Sequence, residues 1–154
     1  MNLYKLYSTP ESLNFYETVS DNNPDIFWEK YKDSKEELKR REKYIAKSPK
    51  YSYYYAETVL KGPFPLGEEA IAKDVDHAYL YAKYILKGPF PVGEEVIAKN
   101  AVFAYHYAKG VLKGPFPAGE ASISKDVKFA YYYAKNVLKK DFYLNGKLIV
   151  KYKP

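Results

Sequence analysis

A chain of 154 residues with 19 tyrosines, 10 prolines, no cysteine and a formal net charge of +6 is one domain by size, and it excludes disulfide scaffolds and thiol chemistry. No apolar run approaches the ~18 residues of a bilayer-spanning helix, and the start Met1-Asn2-Leu3-Tyr4-Lys5 lacks the apolar stretch of a secretory signal. The expectation is a soluble, cytoplasmic protein.

Residues 1–48 read as a helical N-terminal cap. Leu3-Tyr4-Lys5-Leu6-Tyr7 alternates over too short a run to assign. Thr9-Pro10-Glu11 is a helix start leading into Leu13, Phe15, Tyr16 and Val19. Asp21-Asn22-Asn23-Pro24 breaks the chain before Ile26, Phe27, Trp28 and Tyr31. Ser34-Lys35-Glu36-Glu37 is a capping box opening a polar helix to about Lys47. With nine basic and nine acidic residues the segment is neutral, and its aromatics are expected to cover the first repeat.

From residue 49 the sequence is periodic. Leu-Lys-Gly-Pro-Phe-Pro recurs at 60–65, 86–91 and 112–117, a spacing of 26 residues. Tyr-x-Tyr-Ala recurs in step at Tyr53, Tyr79, Tyr105 and Tyr131, and an echo of Ile71-Ala72-Lys73 precedes the series at Ile45-Ala46-Lys47. A fixed period of this length means one supersecondary unit stacked on its copies, here 49–74, 75–100, 101–126 and a partial 127–139. Ser48, Asp74, Asn100 and Asp126 are the expected N-caps of a long helix in each unit. Gly62, Gly88 and Gly114 are its expected left-handed C′ residues, each followed by a proline. A shorter helix begins near Pro65-Leu66-Gly67-Glu68 and its equivalents.

Ala78, Tyr81, Ala82, Ile85 and Leu86 form the apolar stripe of the long helix. Small residues at 52, 56, 78, 82, 104, 108, 130 and 134 predict close approach of neighbouring long helices. Phe64, Phe90 and Phe116 plug the turns, and Ile71, Ile97 and Ile123 face inward from the short helices. After Lys139 the Gly-Pro pair is lost although Phe142 keeps its place, and Asn145-Gly146 between apolar runs predicts a β-hairpin in 140–154. Its last strand packs on the final helix or pairs with a partner or with 3–7. The fold class is therefore mainly α: a short α-solenoid of two-helix repeats, with a helical N-terminal cap and a C-terminal hairpin.

This pattern resembles the short tyrosine/alanine and Lys-Gly-x-Phe-Pro helical repeats of bacteriophage and large DNA virus proteins, over about 45–140. The resemblance implies a phage or viral origin, with a host-cell cytoplasmic location, and an α-solenoid. It assigns no catalytic or binding residue.

The chemistry-bearing residues point away from an enzyme. Glu68, Glu69, Glu94, Glu95 and Glu120 fall in the first turns of short helices, where they complement the macrodipole. His77 and His106 stand at different repeat phases and belong to no ligand set at metal spacing. Gly-Pro-Phe-Pro cannot cradle phosphate, because proline removes the N–H donors. No catalytic residue, metal or cofactor is expected.

What remains is a surface. Lys61, Lys87, Lys113 and Lys139 recur at the end of the long helix, with Lys83, Lys109 and Lys135 one turn earlier. Stacking spaces them by about 10 Å into a basic ladder, although lysine at a helix C-terminus also serves the dipole. The repeats differ from one another at Tyr54, Leu80, His106 and Tyr132, and at Thr58, Tyr84, Gly110 and Asn136. An exposed aromatic–basic face suits an interface. The expected partner is a protein with an acidic surface. Nucleic acid is the alternative partner and end-to-end structural assembly a third reading; no membrane partner is expected, and the oligomeric state is open.

Overall fold

A computed structural model describes residues 33–154. The expectations for Leu3–Tyr7, the Thr9 helix start, the Asp21–Pro24 break and the aromatic cover from Ile26 to Tyr31 lie outside the described residues. Two short helices come first, α1 (Lys35–Arg40) and α2 (Glu42–Ile45). The long helices begin with α3 (Pro49–Tyr54), α5 (Val75–Leu80), α7 (Ala101–Tyr107) and α9 (Val127–Tyr133). Between them lie the short helices α4 (Glu68–Ile71), α6 (Glu94–Ala98) and α8 (Pro117–Ile123). Consecutive long helices touch one another, α6 touches α8, and α4 touches the turn Pro91–Gly93 that leads into α6, so the repeats stack in two layers.

All four expected N-caps act as such. The side chains of Ser48, Asp74, Asn100 and Asp126 accept from backbone N–H groups two or three residues on, each from an extended backbone. Ser34 accepts from Glu37 N–H, but the polar helix it opens is broken at Arg41 instead of running unbroken to Lys47. Leu38, Glu42 and Ile45 then occupy the places of Phe64, Glu68 and Ile71, so repeat-like packing starts before residue 49.

The far end of each long helix departs from expectation. The α-helix gives way to a π-helical turn, at Tyr55–Leu60, Tyr81–Leu86, Ala108–Leu112 and Ala134–Leu138. The wider turn changes the phase, leaving Ile85 and Leu86 only partly buried while Ala78, Tyr81 and Ala82 are fully so.

The left-handed residue is lysine, not glycine. Lys61, Lys87, Lys113 and Lys139 hold φ of 52 to 54°, and Gly62, Gly88 and Gly114 lie outside the left-handed region. Each of these glycines precedes a proline, whose ring pushes the preceding residue toward extended backbone. The left-handed step therefore falls one residue earlier. Gly62, Gly88 and Gly114 still close the helix, donating to the carbonyls of Ala56, Ala82 and Ala108 at 3.0 to 3.1 Å.

The small residues also have a different neighbour. A Cβ on Gly67 or Gly119 would approach Ser52 or Ala104 to 2.6 to 2.7 Å, and one on Gly93 would approach Ala78 to 3.1 Å. These small residues let the short helix, led by its glycine, close onto the long helix of its own repeat. Phe64, Phe90, Phe116 and Phe142 are buried, each meeting the ring of Tyr55, Tyr81, Tyr107 or Tyr133 at 4.9 to 5.2 Å. Phe142 thus continues the series from outside a repeat. It opens β1 (Phe142–Leu144), which pairs antiparallel with β2 (Lys147–Val150) across the positive-φ turn Asn145-Gly146. The hairpin rests on α9 through β2, and Tyr152 N–H donates to Asp141 at 2.8 Å.

Candidate binding surface

Each long helix has an inner and an outer side, and the inner side is committed to the fold. Phe90 N–H donates to the Tyr107 hydroxyl at 2.8 Å, and that hydroxyl donates to Glu94 at 2.8 Å. The same relay joins Phe64, Tyr81 and Glu68, and again Phe116, Tyr133 and Glu120. It ties the turn and short helix of one repeat to the long helix of the next. The first copy is truncated: Tyr55 donates to Glu42 at 2.8 Å, while Leu38 N–H is already satisfied by the Ser34 carbonyl at 3.0 Å. Burial pushes Tyr81, Tyr107 and Tyr133 well above the ordinary tyrosine range; the backbone donor opposes this, and the carboxylate adds to it. Glu68, Glu94 and Glu120 stand in first turns as expected, yet they also hold these hydroxyls.

The other side carries an aromatic ladder in which Tyr53 and Tyr105 are buried and Tyr79, Phe103 and Phe129 half-buried. Tyr53 meets His77 at 5.9 Å, Tyr79 meets Phe103 at 5.6 Å and Tyr105 meets Phe129 at 5.6 Å, each pair bridging consecutive long helices. Lysines lie over the rungs: Lys83 Nζ is 5.4 Å from the Tyr79 centroid, Lys109 Nζ 5.8 Å from Tyr105, and Lys135 Nζ 5.7 Å from Tyr131. These pairs are four residues apart on one helix, which aligns ammonium and ring. In the first repeat Glu57 stands in place of lysine and accepts from the Tyr53 hydroxyl at 2.7 Å. Asn136 reaches across to the Tyr105 hydroxyl at 3.0 Å.

The expected site residues are distributed over this face. Tyr54 and Leu80 are half-buried against it; His106, Tyr132 and Tyr84 are exposed, Tyr84 by 50 %. Tyr132 lies 6.0 Å from Tyr105, and His106 lies 5.0 Å from Tyr105 and 6.4 Å from Tyr79. Lys61, Lys87, Lys113 and Lys139 are exposed but sit at the left-handed helix ends, so the two lysine rows occupy different surroundings. Tyr79 and Tyr105 had been readable only as repeat punctuation. The constant four-residue step to Lys83 and Lys109 is the signal that marks them.

Charge is unevenly divided. Residues 101–154 hold ten lysines and three carboxylates, a net of +7, which leaves −1 for residues 1–100. All three carboxylates are engaged: Glu120 by Tyr133, Asp126 by two backbone N–H groups and Asp141 by Tyr152. Among the described residues, no lysine of 101–154 forms an ion pair. His77 is different, its Nδ1 resting against Asp74. Burial pushes Asp74 up, but the His77 N–H and ring outweigh it and hold the carboxyl below its usual range. Among the described residues no group of three His, Cys, Asp or Glu could hold a metal, and no helix is long and apolar enough to cross a membrane.

No protein-family model matches the chain, and searches of curated proteins and of solved structures find no match.

Proposed function

We propose that the protein is a non-enzymatic binding module whose long-helix face engages another protein through an acidic surface. The observation that carries this reading is the ladder of rings capped by lysines that have no carboxylate partner in the C-terminal half. Aromatic side chains supply contact area at low entropic cost, and unpaired cations supply charge complementarity. The repeat's resemblance to phage and viral proteins supports a setting in which the module binds and modulates a host factor, with defence components as one class.

Nucleic acid is favoured by the same lysines, which could neutralise phosphates. The absence of arginine from 49–154 weighs against it, since arginine makes the bidentate phosphate and base contacts that lysine cannot. The test is affinity capture from host lysate with the natural protein and with Tyr84→Ala and Lys109→Glu, both at exposed positions that leave the relay intact. A partner held by the natural protein and lost by both variants supports the reading. Random oligonucleotides are expected to bind at about 10 μM or weaker at physiological salt. Submicromolar oligonucleotide binding that falls steeply with salt would overturn it.

A further inference from the structure

One point on the face lacks both a side chain and a counter-charge. Thr58, Tyr84 and Asn136 fill one repeat position in the first, second and fourth units, whereas the third has Gly110. A Cβ there would meet nothing within 4 Å. His106, one turn back, stands between two rings that each carry a lysine. It is 6.4 Å from the Tyr79 ring, over which Lys83 lies at 5.4 Å. It is also 5.0 Å from the Tyr105 ring, over which Lys109 lies at 5.8 Å. The ring that closes the far side is Phe129, at 6.2 Å. The other ionisable groups around it are the Tyr79 and Tyr105 hydroxyls, and among the described residues no carboxylate bonds to any of these groups.

We infer that the open position at Gly110, flanked by His106 and Lys109 on its own helix and by Lys83 on the preceding long helix, receives a carboxylate from an acidic segment of the protein partner. This rests on the proposed binding face and names the point where its specificity lies. Repeats 1 and 4 could not serve: Glu57 replaces the lysine in the first, and Asn136 fills the equivalent position in the fourth. Two ammonium groups and an imidazole lie beside an open position, which is an arrangement that an anion completes. Burial and the two lysines hold the His106 imidazole below the ordinary histidine range. An anion seated beside it would reverse the effect of the lysines and favour the imidazolium.

The probe is a capped deca-glutamate peptide, with a ten-nucleotide poly-dT of comparable charge as the second arm. Binding is followed by nuclear magnetic resonance of the full chain. The largest shifts are expected at Tyr79, Lys83, His106, Lys109 and Gly110, with the His106 pKa rising by about half a unit or more. Gly110→Tyr places at this position the residue that the second repeat carries, so the fold accommodates it. Gly110→Tyr and the double variant Lys83→Gln/Lys109→Gln are each expected to weaken peptide binding at least about fivefold and abolish the pKa rise. Lys73→Gln, on the short-helix side, is expected to change neither. Shifts centred on other residues of the face would overturn the inference while leaving the proposed surface standing. No shift anywhere on the face would overturn both, and tighter poly-dT binding at the same residues would show that the site takes phosphate instead and overturn the inference.

Discussion

Tyr107→Phe removes one oxygen from the buried relay and leaves every ring contact in place. The Phe90 N–H, buried and bonded only to that oxygen, is then without an acceptor, which costs about 1–3 kcal/mol. Glu94 loses one donor as well, but it is only half-buried and water can replace the bond, so about 1 kcal/mol or less is added there. The total is about 1–4 kcal/mol. Tyr81→Phe and Tyr133→Phe are expected to match it, because their relays are equivalent. Tyr55 is the internal control. Its hydroxyl donates to Glu42, and among the described residues no backbone N–H donates to it. Tyr55→Phe should therefore cost about 1 kcal/mol. Urea unfolding at constant m value measures all four. If Tyr55→Phe proved as costly as Tyr107→Phe, the orphaned N–H would not be the source of the energy, and the reasoning would fail.

Other consequences follow from the turns, the hydroxyls and the hairpin. Gly88→Ala should be neutral within about 0.5 kcal/mol, since the glycine is not left-handed and the added Cβ meets only the Leu86 carbonyl at 3.8 Å. Gly93→Ala should cost about 1–3 kcal/mol by overpacking, because its Cβ would press on the Phe90 ring and on Ala78; paired thermal melts separate the two. Tyr55, Tyr81, Tyr107 and Tyr133 all titrate above their unfolded value of 10.0, so the fold binds their protons more tightly than the unfolded chain does. That contribution is whole below pH ~10 and is lost as pH rises beyond it. Tyrosinate absorbance from these four should thus appear only together with loss of helical circular dichroism, and titration of all tyrosines near pH 10 with helix intact would refute the linkage. Phe142→Ala should cost about 3 kcal/mol or more and release the hairpin, read as loss of β-strand amide protection.

What the sequence made legible was local. Caps need only a side chain and an N–H two or three residues away, so Ser48, Asp74, Asn100 and Asp126 could be placed from residue type and spacing alone. Asn145-Gly146 declared its turn for the same reason. The π-helical turns and the left-handed lysines were hidden, because they arise from competition: proline restrains the preceding glycine, and the helix end moves to accommodate it. The tyrosine relay lay between these cases. Its glutamate stands 13 residues before its tyrosine in every copy, from Glu42 and Tyr55 to Glu120 and Tyr133, a constancy visible without coordinates. It passed unread because tyrosine in an apolar stripe is explained by burial alone. At the proposed binding face, ridge positions could be read from variation among repeats, but the Tyr79–Phe103 type of rung joins separate helices and follows from no local spacing.

The two lysine rows differ in what the fold asks of them. A non-glycine residue at φ near 52° costs about 1–2 kcal/mol of steric strain at Lys61, Lys87, Lys113 and Lys139. A cation beside the last carbonyls of a helix returns about 0.3–1 kcal/mol of this. Glycine there would escape the strain but would lose more entropy on folding, so the balance lies within about 1 kcal/mol. These lysines are therefore accounted for by the helix ends they close. Lys83, Lys109 and Lys135 stand in the terminal π-helical turn itself but do not take the left-handed position that closes it. An exposed cation–π contact contributes only about 0.5–1 kcal/mol, too little to require a cation in three successive repeats. Glu57 at the equivalent position of the first repeat shows that the packing accepts the opposite charge. Of the two rows, the one over the aromatic ladder is thus the one whose charge the fold leaves free for a partner.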